Sequence, residues 1–299
     1  MRNNGSLFSS ITEPVPRVRP NLDIIPVENN GKSFLYFHDS MGYATENFAL
    51  HRQVGPLLSL LDGSKSILDL EPHLGSDVTP DQLLEYIRFL DGNRVLLTPY
   101  FQHYAEEVER GYEQSDTHTS VTAGRSYPSD PDELRMYLDE AFTKHRQEDG
   151  NPVNMPGEMK ALYAPHIDPR VGLASYVRAF STIRHLTPKR VIILATSHYA
   201  GMYPDLYENH PFIVSDKDFR LPNGTISSDR ETVQLILEQS QKMGISAQDR
   251  AHRIEHSIEL HLLFLNHLWE HDFTIVPVLV RGFDELLEME DGPLGGQVA

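Results

Sequence analysis

His166 and His198 are the residues of this chain best placed to do chemistry, in the segments Pro165-His166-Ile167-Asp168 and Ser197-His198-Tyr199. Neutral imidazole is a ligand for Zn, Cu and Fe, and a ligating ring needs its second nitrogen held by an acceptor. Asp168 and Ser197 are the nearby candidates for that role. Further along, His252, His256, His261, His267 and His271 fall within twenty residues. The run His252-Arg-Ile-Glu255-His256 matches the inverted zinc-protease pattern His-x-x-Glu-His, in which imidazoles at i and i+4 of a helix bind zinc and the acid serves as base. The competing reading takes His256-Ser257-Ile258-Glu259, where His256 and Glu259 share a helix face at i, i+3 and His256 reaches a cleft as acid, base or third ligand. His261 points about 140° away from His256 and reads as a solvated or packing residue. His267 and His271 read as surface residues.

Other chemistries have less behind them. There is no cysteine, so a metal here must use His, Asp or Glu, and disulfides and a thiol nucleophile are excluded. Ser197 and Ser257 each adjoin a histidine in sequence, but adjacency is not triad geometry, and no Gly-x-Ser-x-Gly elbow is present. Neither a Gly-x-x-x-x-Gly-Lys phosphate loop nor a Gly-x-Gly-x-x-Gly turn occurs, which removes the familiar routes to nucleotide binding.

The elements that must position these side chains have an α/β pattern. Residues 160–164 and 190–196 are short continuous apolar runs, the signature of strands buried on both faces of a parallel sheet, and residues 173–185 between them have helical character. A strand, helix and strand of this length predict a right-handed βαβ unit with parallel strands. His166 and His198 would then leave the carboxyl ends of neighbouring strands, facing the crevice where ligands of open α/β sheets gather. Ser129-Asp130-Pro131 opens a helix that runs to about Lys144. Phe212-Ile-Val and Phe219-Arg-Leu with Asn223-Gly224 predict a hairpin, Ser228-Asp-Arg-Glu231 a capping box, and residues 273–280 a further buried strand.

The first part of the chain reads differently. Residues 33–37 and 95–100 look like strands, residues 54–61 have helical spacing, and Thr79-Pro80-Asp81 starts another helix. This predicts a small winged-helix-like α+β domain over residues 15–105, a polar linker over 106–120, and an α/β domain over 121–299 with a mostly parallel sheet and flanking helices. The 39% apolar and 23% charged residues fit a globular protein, and no apolar stretch is long enough to span a bilayer. Met1 to Ser10 lack a signal-peptide core, so the expected location is cytoplasmic. A net charge of −17 without a basic patch argues against nucleic acid and anionic membranes as partners.

Several phrases taken together resemble the MEMO family, which is related to class III extradiol dioxygenases and includes the bacterial AmmeMemoRadiSam system protein B. They are Ala123-Gly124-Arg125-Ser126-Tyr127-Pro128, Ala164-Pro165-His166, Ser197-His198, Glu255-His256-Ser257-Ile258-Glu259-Leu260-His261-Leu262, and the run 273–280. The resemblance covers about 121–282. It implies that His166 and His198 line a metal-type pocket with His256 adjoining it as the catalytic residue, and that Asp168, Ser197, Tyr199, Ser257 and Glu259 line or support it. It further implies a divalent metal, Fe(II) before Zn or Cu, and a dioxygenase-like or redox activity on a small molecule. The alternative it carries is a non-catalytic peptide-binding or accessory protein with radical-SAM system partners. Residues 18–100 more loosely resemble the PqqD family of peptide-binding domains, through pattern and phrases such as Gly42-Tyr43-Ala44-Thr45-Glu46-Asn47. Two departures stand out: Ile167-Asp168-Pro169-Arg170 replaces the family's Ala-Gly-Tyr after Pro-His, and a further strand with a Ser-x-Asp-x-x-His-like motif is expected beyond the Gly-rich residues 291–299, where the domain reads as truncated.

Overall fold

The computed structural model describes residues 5–74, 78–149, 159–239 and 244–282. The chain divides into two compact units, Met1–Gly111 and Tyr112–Ala299.

In the first unit, β1 (Asp23–Asn29), β2 (Lys32–His38) and β3 (Ala49–His51) form an antiparallel sheet in that order. Asn30 and Gly31 join β1 to β2 with φ of 50° and 71°, the left-handed pair that a two-residue hairpin turn needs. Helices α1 (Gly55–Leu60), α2 (Ile67–Leu70), α3 (Pro80–Gly92) and α4 (Pro99–Glu113) follow. Thr79 caps α3 in a reciprocal box with Gln82, as its Thr-Pro start predicts. The strand expected over 95–100 is absent: Leu96 makes a single bridge to Val18, and Pro99 already begins α4. The fixed φ of proline suits a first helical position and removes a ladder donor from a strand. Ile67, Leu70, Ile87, Leu90 and Leu96 are the innermost core residues of this unit.

The second unit contains β4 (Thr117–Thr119), α5 (Pro131–Asp149), α6 (Pro169–Ser181), β5 (Arg190–Thr196), α7 (Pro204–Tyr207), β6 (Phe212–Val214), β7 (Asp218–Leu221), β8 (Gly224–Ile226), α8 (Arg230–Gln239), β9 (Ile245–Ser246), α9 (Ser257–Leu268) and β10 (Thr274–Val280). Its main sheet has the order β5-β10-β6-β9, with β5 parallel to β10 and β6 antiparallel to β10. The fold is therefore mixed α/β. Residues 106–120 hold the end of α4 and all of β4, which pairs with β7 in a second sheet ordered β4-β7-β8.

Three expectations change here. Residues 159–166 belong to no strand, so the parallel neighbour of β5 is β10 and not the run before His166. The hairpin around Asn223-Gly224 joins β7 to β8, while β6 enters the main sheet. And β5 is not buried on both faces: Ile192 and Leu194 are 58% and 67% exposed, whereas Ile193 and Ala195 point inward. Continuous apolarity cannot tell a doubly covered strand from a half-covered one. The interior run β10 is the doubly buried strand.

Helix α9 is the central packing element, with Ile258, Leu260, Leu262, Leu263, Phe264 and Leu265 all buried. Phe264 stacks on Tyr176 and Phe180 of α6, with ring centroids 4.7 and 5.3 Å apart. That stack fixes α6 against α9 and so fixes the segments just before both helices.

Candidate metal centre

His198 leaves the carboxyl end of β5, whose parallel pairing with β10 runs to Thr196 opposite Val280. The Ser197 amide extends the ladder by donating to the Val280 carbonyl at 2.9 Å. Ser257, first residue of α9 and fully buried, donates its hydroxyl to the Thr196 carbonyl at 2.8 Å. This bond sets the start of α9 on the end of β5, which brings His256 beside His198 with parallel rings 4.9 Å apart. His166 arrives from the irregular segment before α6, its ring 4.8 Å from His198 and 5.1 Å from His256. One ligand nitrogen from each of the three lies within 4.8 Å of the others, an arrangement that can hold a metal ion.

Glu255 organises the cluster. Its carboxylate accepts the His198 amide at 2.8 Å, lies 2.9 Å from His198 Nδ1, and accepts the His256 and Ser257 amides at 2.9 and 3.0 Å. With Nδ1 of His198 committed to the carboxylate, Nε2 is left as the donor nitrogen, the tautomer control expected of a carboxylate behind a ligating imidazole. Burial alone would raise the Glu255 pKa, but the bonds and charge from His198 and the Ser257 amide outweigh it and hold the carboxyl below its ordinary value.

Two of the rings are held towards the neutral form. Burial first, then the neighbouring His198 and His256, pulls the His166 pKa down to about 4. Burial also lowers that of His256, against the opposing charge of Glu255. Neutral imidazoles with lone pairs converging on one point are the protonation state that metal binding requires. His166 Nε2 and His256 Nε2 stand 3.3 Å apart. Two nitrogens bound tetrahedrally at ~2.0–2.1 Å are separated by about the same distance, so this pair fits a first-row divalent ion.

The other predicted residues take different places. Asp168 caps α6, accepts the Arg170 amide at 2.8 Å and the Ser126 hydroxyl at 3.0 Å, and pairs with the Arg170 guanidinium, whose hydrogen bonds bring its pKa down to about 2. It is not the acceptor behind a histidine. Ser197 accepts the Ala200 amide and shapes the turn after His198, and the Tyr199 ring meets the His198 ring edge-on at 6.1 Å. Glu259 points away from the cluster: fully buried, it accepts the Val121 and Thr122 amides at 2.7 and 3.0 Å and the Tyr127 hydroxyl at 2.9 Å. The helix begins only at Ser257, so His256 precedes it and shares no helical face with Glu259.

For the same reason the inverted protease pattern has no helix to stand on. His252 ends a short 3-10 turn, is 1% exposed, and places Nε2 3.1 Å from the Ile213 carbonyl. Glu255 is spent on His198. His267 and His271 are half-buried rather than surface residues: His267 stacks on Phe142 and pairs with Asp139, and His271 meets the Pro188 carbonyl. Sequence reasoning missed Glu255 as an orienting group and His261 as a bridge. His261 Nδ1 lies 2.6 Å from the Ser257 carbonyl and Nε2 3.0 Å from the Pro165 carbonyl. The signal for Glu255 was present, an acid directly before the histidine of a ligand set. The expected Ser-x-Asp-x-x-His-like strand and residues 283–299 lie outside the described residues. Among the described residues no helix is long and apolar enough to cross a membrane.

Residues 118–293 match the family model described as Memo-like protein. A MEMO1 family protein of Aquifex aeolicus is 27% identical over 275 residues, covering 88% of this chain and 66% of the relative. MEMO1 family proteins of Methanopyrus kandleri and Aeropyrum pernix are 29% and 30% identical over 173 and 166 residues, covering 55% and 53% of this chain and 56% and 55% of their own lengths. The chain thus spans less than two thirds of each of these relatives. The histidine cluster and Glu255 lie inside the matched region, and the chain belongs to the Memo-like protein family.

Proposed function

We propose that His166, His198 and His256 hold a divalent metal, Fe(II) by preference, and that the protein is a redox metalloprotein of the dioxygenase-like kind. The 3.3 Å separation of His166 Nε2 and His256 Nε2, with His198 Nε2 freed by Glu255, carries this reading. His256 is then a third ligand, where the family resemblance alone made it the catalytic residue. Bound iron would supply redox activation of a small substrate or of dioxygen. The chain's own part is to present His166 and His256 as neutral imidazoles, to fix the His198 tautomer through Glu255, and to keep Tyr199 against the His198 ring. Anaerobic loading with Fe(II) followed by metal analysis tests it. The wild type should retain a single iron per chain and a His166→Ala, His198→Ala double variant none. Equal retention by both would remove the metal from the site.

A second reading, peptide recognition by the first unit, is favoured by β1. It is an edge strand of its sheet, exposed along its whole length, and carries Ile24, Ile25 and Val27 at 37%, 43% and 36% exposure. Such an edge can accept an added strand. This would suit a winged-helix-like, PqqD-like docking element for a peptide or a radical-SAM partner. Binding of candidate peptides to the intact chain should be lost in an Ile24→Pro variant, since the Ile24 amide faces the open edge, whereas Ile25 pairs with Tyr36 of β2. Absence of any peptide binding above background would dismiss it.

A further inference from the structure

The segment that delivers His166 has no ladder or helix of its own, since residues 159–166 belong to no regular element. Yet the peptide groups on both sides of His166 are held. The Tyr176 hydroxyl donates to the Ile167 carbonyl at 2.8 Å and accepts the Ile167 amide at 3.1 Å. On the other side, the Pro165 carbonyl, whose peptide bond leads into His166, faces His261 Nε2 at 3.0 Å. The opposite nitrogen of the same ring lies 2.6 Å from the carbonyl of Ser257, the residue that follows His256. The ring packs against both Tyr176 and Phe180, each with its centroid 6.1 Å away.

We propose that His261 is a positioning residue of the metal centre. With the proton on Nε2, the ring donates to the Pro165 carbonyl and ties the backbone that carries His166 to α9, the helix that begins directly after His256. This inference rests on the metal-centre reading above. It follows from what the imidazole provides: two nitrogens on opposite edges of one rigid ring, each within hydrogen-bond distance of a backbone carbonyl beside a ligand. A neutral ring donates to one of these oxygens and an imidazolium to both. No aliphatic side chain of equal volume can do either. Groups that hold ligating histidines in place from outside the coordination sphere are typically worth ~10–100-fold in metal affinity.

Three variants separate bridging from packing. His261→Leu fills the volume and bridges nothing. His261→Asn reaches only towards Ser257, because its amide ends where Nδ1 stands. His261→Gln extends an amide to the Nε2 position and keeps the contact with Pro165. A fourth variant, His267→Ala, removes a packing histidine from the same helix and serves as the control for lost stability. Each is titrated with Co(II), following ligand-field absorption, and unfolded in urea.

The expected order of Co(II) affinity is wild type, then His261→Gln, then Asn and Leu together, the last two about 10–100-fold weaker and with altered spectra. His267→Ala should lose stability but keep wild-type affinity and spectrum. If the wild type binds Co(II) and all His261 variants bind it equally well, the positioning role is refuted while the metal centre stands. If affinity falls only in step with stability, along the line set by His267→Ala, the role is packing and the proposal fails. If the wild type binds no Co(II), the metal-centre reading falls, and this inference with it.

Discussion

Replacing Glu255 by Gln removes one negative charge and turns one acceptor oxygen into a donor, at a place where only donors converge. The carboxylate is 3% exposed and receives the amides of His198, His256 and Ser257 as well as the His198 ring. Whichever way the Gln amide turns, its NH2 meets one of them. With the NH2 in the Oε2 position, the His198 amide loses its partner. A buried unpaired donor costs roughly 1–3 kcal/mol, and the remaining bonds weaken because the acceptor is no longer charged. The expected loss of stability of the metal-free protein is about 2–4 kcal/mol. The His198 ring also loses the carboxylate that selects its tautomer, so metal affinity should fall ~10–100-fold. The pH dependence has a definite sign. A carboxyl whose folded pKa is depressed contributes stability above its ordinary value of 4.5, and that contribution is lost as pH falls through the folded value. The gap between wild type and variant should therefore be full at neutral pH and close in acid. Urea unfolding across that range, with Co(II) titration at neutral pH, measures all three effects. A variant with wild-type midpoint and wild-type affinity would refute the orienting role.

Acid should unfold the protein partly through histidines outside the cluster. Burial is the leading cause that brings His252 down to about 4 and His118 to about 3 from an ordinary 6.5. Between those values the unfolded chain binds more protons than the folded one, so stability is greatest above pH ~6.5 and drops on acidification. For His252 the effect is on the order of 3 kcal/mol. Urea midpoints against pH should show a shallower decline in His252→Asn, and an unchanged slope would contradict the assignment. Glu259→Ala should cost roughly 3–5 kcal/mol by orphaning the Val121 and Thr122 amides and the Tyr127 hydroxyl, and Glu259→Gln clearly less. Thermal melts that rank the two alike would show that acceptance is not what the residue supplies. Ser257→Ala should cost about 1 kcal/mol through the lost bond to Thr196, and an unaltered melting temperature would remove that bond from the account.

The three clustered histidines were legible because each follows or precedes a strong pattern: His198 the apolar run of β5, His166 the apolar run 160–164, His256 the apolar face of α9. Their convergence was legible only in part. The expected parallel pairing of residues 160–164 with β5 does not exist, and the true neighbour of β5 is β10, which follows α9. Hydrophobic runs announce a buried segment but not its partner, since register and order are set by long-range packing. Helix starts were read well at Thr79, where the cap and its reciprocal partner are local. They were read poorly at His252–His256, where the apolar period continues upstream of a helix that begins only at Ser257. Roles that depend on a side chain reaching a distant backbone could not be found by spacing. Glu259 holding residues 121–122, and His261 holding Pro165, are contacts of that kind.

The parallel pairing of β5 with β10 carries a kinetic consequence. The two strands lie far apart in the chain, with β6 to β9 and α7 to α9 between them, and their union closes a long loop before its hydrogen bonds repay the entropy. Non-local parallel pairings of this type form slowly. The three imidazoles lie at the end of β5, so the sheet that frames them is completed late in folding. An ion would then find no nucleus to template, and would act by trapping the finished state. Its contribution would grow with concentration as RT ln(1 + [L]/Kd), about 2.7 kcal/mol at a hundredfold excess over Kd, and would slow unfolding rather than hasten folding.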